Sequence, residues 1–175
     1  GVLPTQHPLM VPITSAHELW PTADVVVGIG SRIEWPLGAW GYDDDLTLIQ
    51  INVDETELDR HGITDVGIHS DADQACRALI DAIGPLSRPS RVPELDELRA
   101  SFQDRTSHLE PQLSYTAAIR DVLPNDGVMV EDVTQIGFAA HLFYDHLQPR
   151  TFLSSGAAGT LGAGTAVAIG ASAAT

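Results

Sequence analysis

The chain has 175 residues, 43% of them hydrophobic, and carries 24 Asp and Glu against 9 Lys and Arg, for a formal net charge of -15. That is enough apolar material for one ordinary domain or two small ones, and it argues against disorder. The negative excess repels phosphate backbones and argues against nucleic acid as a partner, although backbone amides can still hold a small phosphorylated ligand. The single cysteine, Cys76, cannot form an internal disulfide, which fits a cytoplasmic setting. No run of about 18 apolar residues is present to span a membrane. The start, Gly1 to Pro12, lacks both an initiator Met and the charged region of a signal peptide, and the small apolar end from Ala163 to Thr175 has no polar terminus. Both ends read as cuts from something longer.

In chain order, Val25 to Gly30 is a β-branched run ending in glycine and predicts a strand buried on both faces. Leu46 to Val53 predicts a second strand, stopped by Asp54, and Asp65 to Ser70 a third. Asp71 is placed to cap a helix, with Gln74 at the capping-box position. Ala72, Ala75, Cys76, Leu79, Ile80 and Ile83 then share one helical face, with Cys76 expected to be a buried small hydrophobe. Pro85, Pro89 and Pro93 mark a linker, with a surface helix at Glu94 to His108 inside it. A further helix begins near Ser114, its expected N-cap, with a stripe of Ala118, Ile119 and Val122. Val128 to Val133 predicts a strand, Gly137 to His146 a helix, and Thr151 to Ser155 another strand. A glycine-rich loop, Gly156 to Gly164, leads into an Ala-rich helix. Strands alternating with helices indicate an α/β fold, here parallel sheets flanked by helices in two partial Rossmann-like units.

Three stretches invite chemistry. Glu131-Asp132-Val133-Thr134-Gln135 lies where a strand ends and a helix begins, the place where open α/β sheets bind ligands. Amides at a helix start favour an anion, and Thr134 and Gln135 add neutral donors. The same residues also suit a plain strand end with a helix cap. The second stretch, Ser154 to Gly164, has G-x-x-G-x-x-G-x-G spacing with Leu161 as its only large side chain. Glycine lets backbone approach a ligand closely, and equally lets a helix pack tightly on a sheet. The third, Gly28-Ile29-Gly30, lacks the third glycine of a dinucleotide fingerprint, and Ile33 and Pro36 argue against one.

The run from Ser114 to Ala171 resembles the opening half of the diphosphate-binding domain of thiamine-diphosphate-dependent enzymes of the acetolactate synthase and benzoylformate decarboxylase family. Asp132 to Gln135 is similar to that family's D-V-G-Q turn, and Pro149 to Ser155 to its P-R-x-F/W-L-x-S. Ser155 to Gly164 is similar to S-G-G-L-G-x-M/L-G-x-G, and Val167 to Ala171 to the A-A-I-G-A helix. Upstream, Ala23 to Arg32 resembles A-D-L-L-I-x-x-G-x-R of the family's middle domain, and Leu48 to Asp54 its I-x-I-D-x-D strand.

The resemblance implies residues 1–84 as part of the middle domain, 85–112 as linker and 113–175 as the N-terminal half of the diphosphate-binding domain. It implies thiamine diphosphate as cofactor, with Val133, Thr134 and Gln135 at its diphosphate. The Gly159 carbonyl would face the aminopyrimidine beside Thr160, and Leu161 would lie under the bent cofactor. The family's metal motif, G-D-G followed by Asn, is expected beyond Thr175, so magnesium has no ligand here. The activating glutamate belongs to an N-terminal domain, so no catalytic residue is expected in this piece, which would be inactive alone. His61, His69, His108, His141 and His146 fall on predicted surface or linker positions and are not expected to be general bases. Flavin-binding members carry D-D-R where this chain has Ile33-Glu34-Trp35, which speaks against FAD. Ala157 and Ala158 replace the usual Gly and Leu of the loop. The implied activity is carboligation or decarboxylation of 2-oxo acids, in a homodimer or homotetramer whose active site is shared between subunits. A non-catalytic α/β module that binds a nucleotide or a neighbouring subunit is the alternative.

Overall fold

The computed structural model describes residues 3–174, the side chain of Ala157 excepted. The elements, in order, are α1 (Ile13–Leu19), β1 (Val25–Ile29), α2 (Glu34–Trp40), β2 (Thr47–Asn52), β3 (Val66–His69), α3 (Ala72–Ile83), α4 (Val92–Thr106), α5 (Gln112–Val122), β4 (Met129–Val130), α6 (Gln135–Phe143), β5 (Phe152–Leu153) and α7 (Ala163–Ala174). The chain forms two compact units. One is His17–Ser90; the other takes the stretch up to Ala16 together with everything from Arg91 onward. The division thus falls ahead of α4, and the helix expected at 94–108 belongs to the body of the second unit.

The first unit is a three-stranded parallel sheet in the order β1-β2-β3. Central β2 buries Leu48, Gln50 and Ile51, and Leu48 packs with Ile33 and Leu37 of the β1–α2 segment, joined by Trp20, Val26 and Ile63. The expectation that β1 is buried on both faces is not met: Val25, Val27 and Ile29 are 40% or more exposed. Their alternation puts all three on one face of an edge strand, with Val26 and Gly28 on the other, and only the second face meets α2. Asp54 caps the turn that stops β2, accepting from the Thr56 N–H at 2.9 Å and the Thr56 hydroxyl at 2.7 Å, and these bonds hold its carboxyl below the ordinary value. Asp71 caps α3 as expected, accepting from the amides of Asp73 and Gln74. On the apolar stripe of α3 only Ala75 is buried; Cys76 is half-buried, and Ile80 and Ile83 are exposed. Helix α2 has no clear sequence signal, because Pro36 and Gly38 mask a short segment whose one buried side chain is Leu37.

The second unit pairs β4 with β5 in parallel, Met129 opposite Phe152 and Val130 opposite Leu153. Both strands are two residues long, shorter than their apolar runs suggest, since regular pairing extends only through Met129 N–H to Thr151 and Glu131 N–H to Leu153. Helix α4 buries Leu95 and Phe102, and Phe102 stacks on Phe143 with ring centres 5.2 Å apart. Tyr144 is 2% exposed; Arg120 donates to its hydroxyl at 2.8 Å, and burial pushes that hydroxyl's pKa up. Helix α5 begins at Gln112 rather than at Ser114, which instead bonds Glu110 through its amide and hydroxyl. Its buried residue is Thr116, while Val122 of the expected stripe is 81% exposed. Helix α6 starts two residues before its expected Gly137, because Thr134 is its cap, and it ends at Phe143.

Candidate functional site

The site is built where β4 ends. Thr134 is extended, and its Oγ1 accepts the Gly137 N–H at 2.9 Å. One orphan donor of the first turn of α6 is thereby satisfied, and the Thr134 hydroxyl keeps its own proton to donate. Among the described residues the amides of Thr134, Gln135 and Ile136 have no hydrogen-bond partner. A cap and a group of free donors thus coexist in one turn, so the two sequence readings of this stretch are compatible. Gly137 is required here. A Cβ on it would lie 2.1 Å from the Asp132 carbonyl oxygen and 2.3 Å from a Glu131 carboxylate oxygen. The Val133 amide, by contrast, is taken, donating to Asp132 Oδ1 at 2.7 Å. Gln135 pairs its side-chain amide with that of Gln112 at 2.9 Å, a partner on α5 with no sequence signal. Beside Gln135 opens a largely apolar cavity of about 450 Å³ whose wall includes Gln112, Phe138, Ala139 and Leu142.

The glycine loop follows β5. Gly156–Ala158 forms one turn of 3₁₀ helix, and Gly159 closes it in the left-handed region at φ 55°. Gly162, at φ 83°, turns the chain into α7. Thr160 is exposed, and Leu161 is 75% exposed at the tip of the loop. The side chain of Ala157, one of the two replacements noted in the sequence, lies outside the described residues. The two candidate stretches come together through Asp132. Its Oδ1 accepts from the Gly162 amide at 3.1 Å and its Oδ2 from the Gly164 amide at 3.0 Å. Bonds from the amides of Val133, Gly164 and Gly162 hold the Asp132 carboxyl below the ordinary carboxylate value.

Two family descriptions match this sequence. "Thiamine pyrophosphate enzyme, central domain" matches residues 1–79, and "Thiamine pyrophosphate enzyme, C-terminal TPP binding domain" matches residues 132–175, beginning at Asp132 itself. The chain belongs to the thiamine pyrophosphate enzyme family. Among curated relatives, acetolactate synthase isozyme 3 large subunit of Escherichia coli is 24% identical over 97% of this chain and 33% of its own length. Acetolactate synthase isozyme 1 large subunit of the same organism is 26% identical over 98% and 32%. A probable 2-ketoarginine decarboxylase of Pseudomonas aeruginosa is 25% identical over 98% and 32%. The chain therefore spans about a third of the length of the curated relatives it matches.

The other members of the expected set are placed as follows. Glu131 is buried at 6% exposure, with His141 Nε2 2.7 Å from its Oε1. His146 is half-buried against the Phe152 ring, and burial lowers its pKa. His141 is exposed, as the sequence predicts, whereas His146 is half-buried, contrary to the sequence expectation. His61 and His108 are exposed, and His69 bonds the Val53 carbonyl. No helix among the described residues is long and apolar enough to cross a membrane, and none of their His, Cys, Asp or Glu side chains cluster as a metal site.

At the end of β1 the geometry is different. Ile33 sits in the left-handed region at φ 50°, is 9% exposed, and pushes its side chain over Gly28. A Cβ on Gly28 would lie 2.1 Å from Ile33 Cδ1. Glu34 is the first residue of α2, and Arg32 is engaged by Glu57 at 3.2 Å.

Proposed function

We propose that this chain forms part of an enzyme that uses thiamine diphosphate to join or split carbon–carbon bonds next to the carbonyl of 2-oxo acids. The observation that carries the reading is the α6 turn: Thr134 caps the helix, the amides of Thr134, Gln135 and Ile136 are unpartnered, and Asp132 ties the turn to the glycine loop. Free amides at a helix start suit a diphosphate, and no Lys or Arg is needed among them. These residues fit the cofactor. Thr134 and Gln135 would hold the diphosphate oxygens, while Val133 would contribute shape, its amide being taken by Asp132. The left-handed Gly159 and neighbouring Thr160 would present backbone to the aminopyrimidine, and the exposed Leu161 would lie against the cofactor's apolar face. When bound, the cofactor supplies a nucleophilic carbon and an electron sink for decarboxylation. What this chain does is bind, orient and keep the cofactor bent.

Magnesium would be held by an Asp-containing motif that is not among the 175 residues. Residues 1–84 are read as part of the middle domain, 85–112 as linker and 113–175 as the N-terminal half of the diphosphate-binding domain. FAD is not part of this reading: Ile33 lies over Gly28, and Glu34 in the first turn of α2 would oppose a diphosphate there. The assembly is read as a cytoplasmic homodimer or homotetramer with shared active sites. The test is calorimetric titration of the full-length protein with thiamine diphosphate and magnesium, followed by assay of carbon dioxide release from short 2-oxo acids. Saturable, magnesium-dependent binding with turnover is expected; absence of binding to the folded protein refutes the reading.

A further inference from the structure

We infer that Asp132 is a positioning residue for the cofactor, a clamp that locks the glycine loop and the start of α7 onto the end of β4. The inference rests on the thiamine diphosphate reading and extends it. Its carboxylate accepts three backbone N–H groups, from Val133 at 2.7 Å, Gly162 at 3.1 Å and Gly164 at 3.0 Å. The first belongs to the strand end and the other two to the far side of the loop. The loop is shaped to receive the carboxylate, since a Cβ on Gly164 would lie 2.9 Å from the Asp132 Cβ and 3.0 Å from Oδ2. Gly162 reaches its position only through a left-handed backbone.

The clamp also decides where a diphosphate goes. Two helices start close to Asp132, α6 at Gln135 and α7 at Ala163. Each presents amides with partial positive charge. Asp132 places a carboxylate on the amides at the α7 start, so that end already holds an anion and offers little to a second. The α6 amides of Thr134 to Ile136 remain free. A bare carboxylate so near the diphosphate turn would repel the ligand, but here the Asp132 charge is spread over three donors. An alanine would release the loop and leave two helix starts competing for one anion. An asparagine has a single acceptor oxygen and turns an NH2 group toward an amide N–H, so it can replace only part of the clamp.

The experiment uses the full-length protein at saturating magnesium, with Asp132→Ala, Asp132→Asn and Gly164→Ala. Hydrogen exchange of the Gly162 and Gly164 amides is read without cofactor, and thiamine diphosphate affinity, KM for the cofactor and kcat are read with it. Asp132→Ala should speed exchange at both amides and weaken the cofactor by about 10–100-fold, the scale seen when a supporting contact behind a bound group is removed. The loss should appear in KM for the cofactor more than in kcat at saturation. Asp132→Asn should fall between, and Gly164→Ala should copy the phenotype with Asp132 intact. If the alanine variant does not fold, the asparagine and Gly164→Ala variants decide. A lowered melting temperature with unchanged exchange and unchanged cofactor KM would reduce Asp132 to a structural residue and overturn the inference. If the wild-type protein binds no thiamine diphosphate, the cofactor reading falls and the positioning role with it. Faster exchange in the variants would then show a clamp of the fold alone.

Discussion

Two of the turns that connect a parallel strand to a helix in this chain have opposite fates. At the end of β1, Gly28-Ile29-Gly30 leads to Ile33, which bends into the left-handed region and inserts over Gly28. At the end of β4, Glu131 to Gln135 leads to Thr134, which caps α6 and leaves the next amides free. The first turn is filled from within by an apolar side chain and followed by an acid; the second keeps its donors available. A left-handed, β-branched residue costs about 1–2 kcal/mol, so the plug is held in place by its packing on Leu37 and Leu48. The space after a strand is thus filled by an apolar side chain in one turn and faced by free amides in the other.

The largest expected effect in this comparison comes from closing the open turn. Gly137→Ala places a methyl group within 2.1 Å of the Asp132 carbonyl oxygen. Helix α6 must shift, so a loss of about 1–3 kcal/mol is expected from overpacking, with thiamine diphosphate binding abolished or nearly so. Urea denaturation and cofactor titration of the full-length variant would measure both, and unimpaired binding would show that the α6 turn is not the diphosphate site.

Opening the closed turn tests the fold rather than the cofactor. Ile33→Gly removes the strain but also a buried side chain that touches the Leu37–Leu48 cluster. The cavity cost for a large-to-small core change, about 2–5 kcal/mol, exceeds the relief, so net destabilisation is expected. The wild-type protein should carry no flavin after purification and show no absorbance change on titration with FAD. Stoichiometric flavin in the wild-type protein would collapse the contrast between the two turns.

Leu161 tests the loop facing the open turn. At 75% exposure it contributes little to the fold, so Leu161→Ala should hold its cofactor-free melting temperature. Turnover should fall several-fold even with saturating thiamine diphosphate, because an unpropped cofactor samples unbent shapes. Met or Ile should restore much of the activity, since bulk and not a particular group is needed. Normal turnover in the alanine variant would remove Leu161 from the site.

The smallest effect is a pH dependence. Burial lowers the His146 pKa from its ordinary 6.5, so the unfolded chain takes up this proton more readily than the folded one. Its contribution is present above about pH 6.5 and is lost as pH falls through the folded-state pKa. The urea midpoint should therefore decline modestly between about pH 7 and pH 5, and His146→Gln should flatten part of that slope. An identical slope in the variant would assign it to other groups.

Much of the local structure was legible because it arises from chemistry a few residues long. Asp71 and Asp54 cap the turns just after them through side chains that reach only two or three residues ahead. The apolar runs placed β1, β2 and β3 to within a residue or two of their observed ends. The errors lie where neighbours decide. β-branched residues at 25–29 read as doubly buried, yet one face of an edge strand is bare. Ser114 has the chemistry of a cap, but Glu110 draws it into a different bond and α5 starts earlier. His146 reads as a surface group in the sequence, whereas it is half-buried against the Phe152 ring in the fold.

By itself the sequence determined the α/β class, the order of the five strands and of the helices from α3 onward, the family, and the two stretches, Val133 to Gln135 and Gly159 to Leu161, on which a cofactor reading rests. These are encoded in short-range patterns of polarity, branching and glycine. Only the tertiary structure decided how each strand-end turn is used: that Ile33 closes one, that the Val133 amide is spent, and that Asp132 binds amides thirty and more residues downstream. The reason is physical. A carboxylate's partners and the occupant of a glycine's empty side are set by whatever the fold brings within about 3 Å, and no local pattern records which distant backbone that is.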